Sequence, residues 1–330
     1  MKTMRRLFFG LLLLLAAGAG ALFFRVFTPY QNFQSPQFVD IPRGTSSSEI
    51  AGLLAHAGVV PSRMDFLLAR IVAHGRVLQA GEYRFTRPAS PIEVYDRIAR
   101  GDVFYYLLAV PEGKNMFDIA AAVEQIGLFP AGQFLAAARN PAMIRDLDPQ
   151  APSLEGYLFP DTYHLSRHTT PEKLCRIMTG KFREVWAGLK TTADVHRTVT
   201  LASLVERESK LKSERAQVAA VYANRLRIGM KLDCDPTTIY AALLDGRYRG
   251  TIYRSDLESD SPYNTYRHPG LPPGPIANPG LAAIEAALHP ADSEALYFVL
   301  RPDGSGGHEF SRTIEAQNAA VSRYRNGARR

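Results

Sequence analysis

The stretch LFFGLLLLLAAGAGALFF, Leu7 to Phe24, constrains this chain more than any other: 18 residues without a charge, nearly all apolar. As a helix rising about 1.5 Å per residue it reaches about 27 Å, close to the ~30 Å hydrocarbon thickness of a bilayer. Lys2, Arg5 and Arg6 precede it, and no acid occurs before Asp40. That bias favours a cytoplasmic tail at residues 1–6, a transmembrane helix at 7–24 and a translocated remainder. The small residues AAGAGA would also suit a signal peptidase. Leu22, Phe23 and Phe24 carry the apolar run past them, so the expectation is a retained single-pass anchor in a lipid bilayer.

The remaining chain is long enough for two or three compact units with real cores. A net charge of +7 over 330 residues is mildly basic, with part of it at the ends, in Arg323, Arg325, Arg329 and Arg330. No dense Lys/Arg run lies beside aromatics, so nucleic acid is not an expected partner. Cys175 and Cys234 lack CxxC spacing and paired histidines, so no metal site is expected from them. Whether they pair with each other is not decided by sequence, which gives no distance between them.

Residues 25–37, RVFTPYQNFQSPQ, read as a polar linker. VDIPRGTSSSEIAGLLAHAGVV (39–60) and LAVPEGKNMFDIAAAVEQIGLF (108–129) then form a short internal repeat. Each runs apolar–Pro–x–Gly, then acid–Ile–Ala and an apolar helix, the pattern of a strand, a turn and a capped helix. AGEYRFT alternates as a strand does, and SPIEVYDRIARG reads as a capped helix closed by glycine. Residues 38–150 are therefore expected to form one or two small α+β units. From 151 the texture changes, with EGYLFPDTYHL, a long helix over 200–229, and the proline-rich SPYNTYRHPGLPPGPIANPG. ALYFVL and the glycine turn after it suggest a hairpin.

Glu206 and Glu208 stand in the most apolar part of the long helix. On a helical wheel they fall on opposite margins of its buried face, each about 70–90° from the centre. Periodicity makes both half-buried and does not choose between them. Each could be a boundary carboxylate paired with Arg207 or Arg215, or a functional one whose pKa burial raises. Ser203 and Ser209 with His196 make no serine-hydrolase case, because no G-x-S-x-G elbow surrounds either serine. No Walker or dinucleotide-binding loop is present, and no cofactor is expected.

The series LASLVERESK, SERAQVAAVYANRLRIGMKLDCDPTTIYA, YNTY, GLPPGPIANPG, HPA and LYFV resembles the membrane-anchored endolytic murein transglycosylases, the MltG or YceG-like family. The resemblance runs from the anchor almost to the C-terminus and is densest over 153–312. It implies a LysM-like substrate-binding region over 38–150 and a lysozyme-like α+β catalytic domain over 151–330. It implies endolytic cleavage of the MurNAc–GlcNAc β-1,4 bond of nascent peptidoglycan, leaving a 1,6-anhydro-muramyl end. The anchor then lies in the inner membrane with the bulk of the chain in the periplasm, beside penicillin-binding proteins and other wall-synthesis proteins.

The resemblance also separates the two glutamates. Lytic transglycosylases with a lysozyme-like core place the catalytic glutamate before Ser or Thr, and Glu208-Ser209 fits where Glu206-Arg207 does not. Glu208 is thus the expected catalytic residue, with Glu206 and Ser209 supporting. PYNTY resembles the family's AYN element, so Asn264 and Tyr266 are expected to position the sugar, with Tyr263 packed beneath. Asp161 and Tyr163 are candidates for the saccharide groove, and His308 for the cleft. The family's common His-Asn pair is here Gln317-Asn318. Non-hydrolytic cleavage needs only one carboxyl group, whereas a hydrolysing muramidase would want a second. Asp233, Asp235, Asp256 and Asp260 are available for that, so hydrolysis stays open, as does a non-catalytic peptidoglycan-binding scaffold.

Overall fold

The computed structural model describes residues 2–327, the side chains of residues 2–8 excepted. The basic side chains Lys2, Arg5, Arg6, Arg329 and Arg330, and the expected tail at 1–6, lie outside the side chains described. The chain is mixed α+β and divides into two compact units, 1–105 and 106–330.

The first unit opens with helix α1 (Lys2–Phe27), whose segment Phe9–Phe27 is long and apolar enough to cross a membrane. Residues 25–37, expected to be a linker, instead belong to the fold. Val26 is fully buried in the core of this unit. Arg25 donates to Asp65 at 2.6 and 3.1 Å. Tyr30 and Ala89 exchange backbone hydrogen bonds, and the Asn32 N–H reaches Gly58 O at 3.0 Å. Backbone groups with such partners and an apolar side chain in the core hold a segment in place, whatever its proline content.

Next come β1 (Gln37–Ile41), α2 (Ser47–His56), α3 (Arg63–Val72), β2 (Gly81–Phe85) and α4 (Pro91–Arg100). β1 and β2 are antiparallel, with Val39 opposite Tyr83. Val39 and Ile41 turn inward around exposed Asp40, the period of two that a half-buried strand requires. α4 starts on a Ser90–Glu93 capping box and stops at Gly101, whose φ of 71° suits a residue without Cβ.

The second unit begins with β3 (Tyr106–Ala109), α5 (Met116–Gln125), α6 (Ala131–Ala138) and β4 (Thr162–Leu165). β3 pairs antiparallel with β4, Leu108 opposite Tyr163. The order strand–helix–helix–strand therefore occurs twice, as β1–α2–α3–β2 and as β3–α5–α6–β4. The sequence repeat at 39–60 and 108–129 is the first half of each copy. Both leading helices open on a capping box, Ser46 with Glu49 and Asn115 with Asp118. This corrects the domain boundary expected at 150/151. β4 closes the second copy, so residues 106–150 share a core with α7 (Pro171–Gly188), in which Leu108, Ile119, Phe134 and Phe182 are all buried.

The helix expected over 200–229 is two helices, α8 (Val195–Glu208) and α9 (Arg215–Arg227), parted by a loop and a short 3₁₀ turn. Ser209 leaves the helical region (φ −107°, ψ 117°) directly after Glu208, and its Oγ donates forward to Leu211 O at 2.9 Å. Short hydroxyl side chains offer the backbone this alternative to helix. After α9 come α10 (Asp235–Leu244), α11 (Arg254–Leu257), α12 (Leu281–Leu288), the hairpin of β5 (Tyr297–Leu300) and β6 (His308–Ser311), and α13 (Ile314–Gly327). Cys175 and Cys234 are both free and buried, in separate apolar clusters.

Candidate active site

α8 is buried almost all round: Val199, Ala202, Ser203, Leu204 and Val205 are each fully covered. Polar groups on its last turn must therefore find partners or a cavity. Glu206 finds partners. Arg215 donates to its Oε1 at 2.5 Å and the Gly280 N–H to its Oε2 at 3.0 Å. Glu112, at the turn of the second repeat copy, approaches the same Arg215 at 3.4 Å. A Cβ at Gly280 would fall 2.0 Å from a Glu112 oxygen, so a side chain there would displace Glu112 from Arg215. Burial pushes the Glu206 carboxyl up, while Gly280 N–H and Arg215 draw it down.

Glu208, half-buried on the last residue of α8, finds the cavity. With Arg225, Leu232, Asp233, Asp235, Tyr266 and Phe298 it lines a cleft of about 150 Å³. Its carboxyl is raised above the usual range, first by burial and further by the charge of Asp235. The C-terminal end of a helix adds its negative pole in the same sense. Hydrogen bonds from Cys234 and Tyr222, and the nearby His308, act the other way.

The remaining expected residues divide. Tyr266 lines the cleft, and its hydroxyl donates to Asp235 Oδ1 at 2.7 Å. Tyr263 packs on Tyr240, ring centroids 5.1 Å apart, under the same loop. Asn264 does not face the cleft. It is fully buried, its Nδ2 donates to Leu257 O and Ser259 O at 2.9 and 2.7 Å, and its Oδ1 accepts from Tyr266 N–H. With its polar atoms engaged in this way it braces the loop that presents Tyr266. Tyr163 is a core residue whose hydroxyl donates to Phe159 O at 2.5 Å, and Asp161 is exposed and pairs with Lys181 at 3.4 Å. Asp161 lines a separate hollow with Glu112, away from Glu208. Ser209 shapes the chain directly after Glu208. His196 meets Asp148 at 2.7 Å and neither Ser203 nor Ser209.

Of the other acids, Asp233 and Asp235 line the cleft, whereas Asp256 caps α11 and pairs with Arg247. His308 is buried, with Nδ1 2.9 Å from Glu214 Oε2 and its N–H donating to the same carboxylate at 3.0 Å. The ring stands edge-on to Phe298 at the cleft wall. Gln317 donates to Phe298 O at 3.0 Å. Among the described residues no three His, Cys, Asp or Glu side chains gather as a metal site.

Sequence reading missed a further buried carboxyl group in this unit. Glu155, 1% exposed, accepts from Met116 N–H at 2.9 Å and from Asn278 Nδ2 at 2.8 Å. Burial lifts it to about 8, against the Met116 N–H and the Tyr240 hydroxyl. Asn278 in turn accepts from the Gly156 and Leu158 N–H groups. The pair ties the EGYLFP segment to the start of α5 and to the loop before α12. Its only sequence signal is an acid and an amide inside otherwise apolar, turn-rich stretches.

The sequence pattern of the YceG-like family matches residues 39–323. The chain is 33% identical over 307 residues to the endolytic murein transglycosylase of Bacillus subtilis (strain 168), spanning 87% of this chain and 84% of that one. It is 30% identical over 297 residues to the endolytic murein transglycosylase of Streptococcus pneumoniae serotype 2 (strain D39), covering 79% of this chain and 53% of that longer protein. A 2.6 Å crystal structure of a YceG-like protein from Listeria monocytogenes superposes with a TM-score of 0.55 at 31% identity, covering 87% of this chain and 99% of that one. The match takes in both repeat copies and the cleft at the end of α8, and the chain belongs to the YceG-like family.

Proposed function

We propose that this chain is an endolytic murein transglycosylase, a lyase that cuts peptidoglycan glycan strands within their length, with Glu208 as its acid and then its base. The observation that carries the assignment to Glu208 is its placement. Burial raises both carboxyl groups, but Glu208 lines the cleft, while Glu206, two residues earlier, has both oxygens taken by Arg215 and Gly280. A carboxyl whose protonated form is favoured by burial can donate to the glycosidic oxygen as the C1–O bond of MurNAc breaks. The resulting carboxylate then takes the proton of the C6 hydroxyl as O6 closes on C1. One bond is broken, one is formed, the proton returns to Glu208, and no water is consumed. Tyr266, held by Asp235, and the wall of Phe298 and Leu232 are the groups that would line the sugar.

The finer architecture follows the same reading. The order β1–α2–α3–β2, closed by an antiparallel pair, supports a LysM-like glycan-binding role for the first unit. The helix-bound carboxyl over a cleft supports a lysozyme-like second unit. The anchor favours an inner-membrane protein with its bulk in the periplasm, near newly made glycan strands; a place beside penicillin-binding proteins is implied by the family alone.

A hydrolytic second reading is favoured by one observation: Asp233 and Asp235 share the cleft. Against it, Asp235 is engaged by Tyr266 and Asp233 lies 3.4 Å from Arg225. Digestion of purified glycan strands followed by mass measurement of the new ends distinguishes the readings. Ends one water lighter than muramidase products support the lyase, full-weight ends the hydrolase, and uncut strands a binding scaffold.

A further inference from the structure

The two strand–helix–helix–strand copies turn from strand to helix in the same way, at Pro42–Arg43–Gly44 after β1 and at Pro111–Glu112–Gly113 after β3. Gly44 and Gly113 share the left-handed conformation, with φ of 85° and 77°. In the second copy this turn is occupied. Arg207 Nη1 donates to Gly113 O at 3.2 Å, and the Gly113 N–H donates to Asn278 O at 2.9 Å. The Glu112 carboxylate faces Arg215 at 3.4 Å and Lys212 at 3.6 Å. A Cβ on Gly113 would stand 3.4 Å from Glu206 Cγ. The turn thus grips the end of α8 with a charge at its tip and a backbone carbonyl beside it.

In the first copy the same turn carries the opposite charge and stands open. Arg43 takes the place of Glu112 and is exposed, and a Cβ on Gly44 would meet nothing within 4 Å. Among the described residues the Arg43 and Asp40 side chains have no hydrogen bond or ion pair, and the Gly44 N–H and carbonyl have no backbone partner. The turn borders a hollow of about 660 Å³, lined also by Thr45, Glu49, Leu53 and Arg63. Glu49 is engaged by the Ser46 N–H at 2.8 Å, and Arg63 donates to Ser48 O at 3.3 Å. Ser46 already caps α2, so the helix N-terminus is not the feature left for a ligand. What is left is the Arg43 cation, the Gly44 backbone, the Asp40 carboxylate at the rim and Leu53, 40% exposed.

We propose that the turn Pro42–Gly44 and the hollow beside it bind a carboxylate-bearing peptide, the acidic branch that muramic acid carries on an uncut glycan strand. The inference rests on peptidoglycan being the substrate. Arg43 takes the carboxylate, the inverse of Glu112 taking Arg215 in the second copy, and such charge-assisted bonds are the stronger kind. The Gly44 N–H and carbonyl meet the amide groups of the branch, and Leu53 lies against its apolar side chains. Asp40 favours a branch that also carries an amine. A neutral sugar alone would leave both charges at this turn unused.

The test uses the full chain in detergent carrying Glu208→Gln, so that strands stay intact. Two probes are compared by titration: glycan strands with their peptides, and the same strands stripped of peptide by an amidase. The peptide-bearing strands are expected to bind about tenfold more tightly, the scale of one hydrogen bond to a charged group. Arg43→Glu, which gives the first copy the charge of the second, is expected to abolish that advantage. Arg87→Glu, the same charge change at another exposed position of this unit, is expected to leave it in place. Equal affinity for the two kinds of strand would overturn the proposal, as would an advantage that survives Arg43→Glu or falls equally with Arg87→Glu. The peptidoglycan reading fails separately, if neither kind of strand binds and wild type cuts neither.

Discussion

Arg215 closes on Glu206 at 2.5 Å with both side chains almost sealed from water, 5% and 4% exposed. The pair separates two glutamates that helical periodicity alone treats alike. Because Arg215 stays buried when its partner is removed, Glu206→Ala is expected to cost about 3–5 kcal/mol of stability. Glu206→Gln, which retains an acceptor for Gly280 N–H, should cost less. Both are read by thermal unfolding. Below its melting temperature Glu206→Gln should still cut glycan strands, and a folded but inactive Glu206→Gln would move the catalytic assignment to position 206.

Asp65, on α3, ties that helix to α1 through Arg25. Burial pushes its carboxyl up, but the bonds from Arg25 and Ser62 outweigh that, and the net pKa lies below its ordinary 3.8. A depressed acid adds stability above its unfolded pKa and loses it as pH falls through the folded one. Unfolding of the first unit should therefore become easier below about pH 4. Asp65→Asn should be less stable at neutral pH and show a flatter acid dependence, as followed by urea unfolding across pH.

His196 and Asp148 form a second pair whose two pH limbs have opposite signs. The Asp148 hydrogen bond raises His196 above its ordinary 6.5, a contribution fully present below that value and lost as pH rises through the folded pKa. Asp148, desolvated but bound by His196 and Tyr157, lies below its ordinary value and loses its contribution in acid. His196→Gln should thus lower the melting temperature most at pH 5–6 and little at pH 9 (about one or two melting-curve degrees per few tenths of a kcal/mol). Equal losses at both pH values would count against a charged His196.

Local signals made much of this fold legible. Ser46, Ser90 and Asn115 cap the helices that their positions announce, and β2 and the β5–β6 hairpin fall where alternation and glycines put them. The failures are long-range. Nothing near residue 150 reveals that β4 returns to β3, and nothing in the composition of 25–37 reveals that Val26 enters a core. The break after Glu208 was hidden because Ser209 to Glu214 keep a helix-compatible composition. Its cause is a serine hydroxyl bonded forward and a Glu214 side chain held by His308, 94 residues on. At the site, the ES pair pointed to the residue that lines the cleft. Asn264, by contrast, is expected from sequence to face the sugar, because the three loop carbonyls that take its amide are brought together only by a turn of the folded chain.

Mass spectrometry of glycan strands digested by the wild-type chain and by Glu208→Gln, both shown to be folded, tests Glu208 most directly. The expected result is new ends one water lighter than hydrolysed ends with wild type, and uncut strands with the variant. Strands cut equally by both, or wild-type ends carrying the full water, would contradict it.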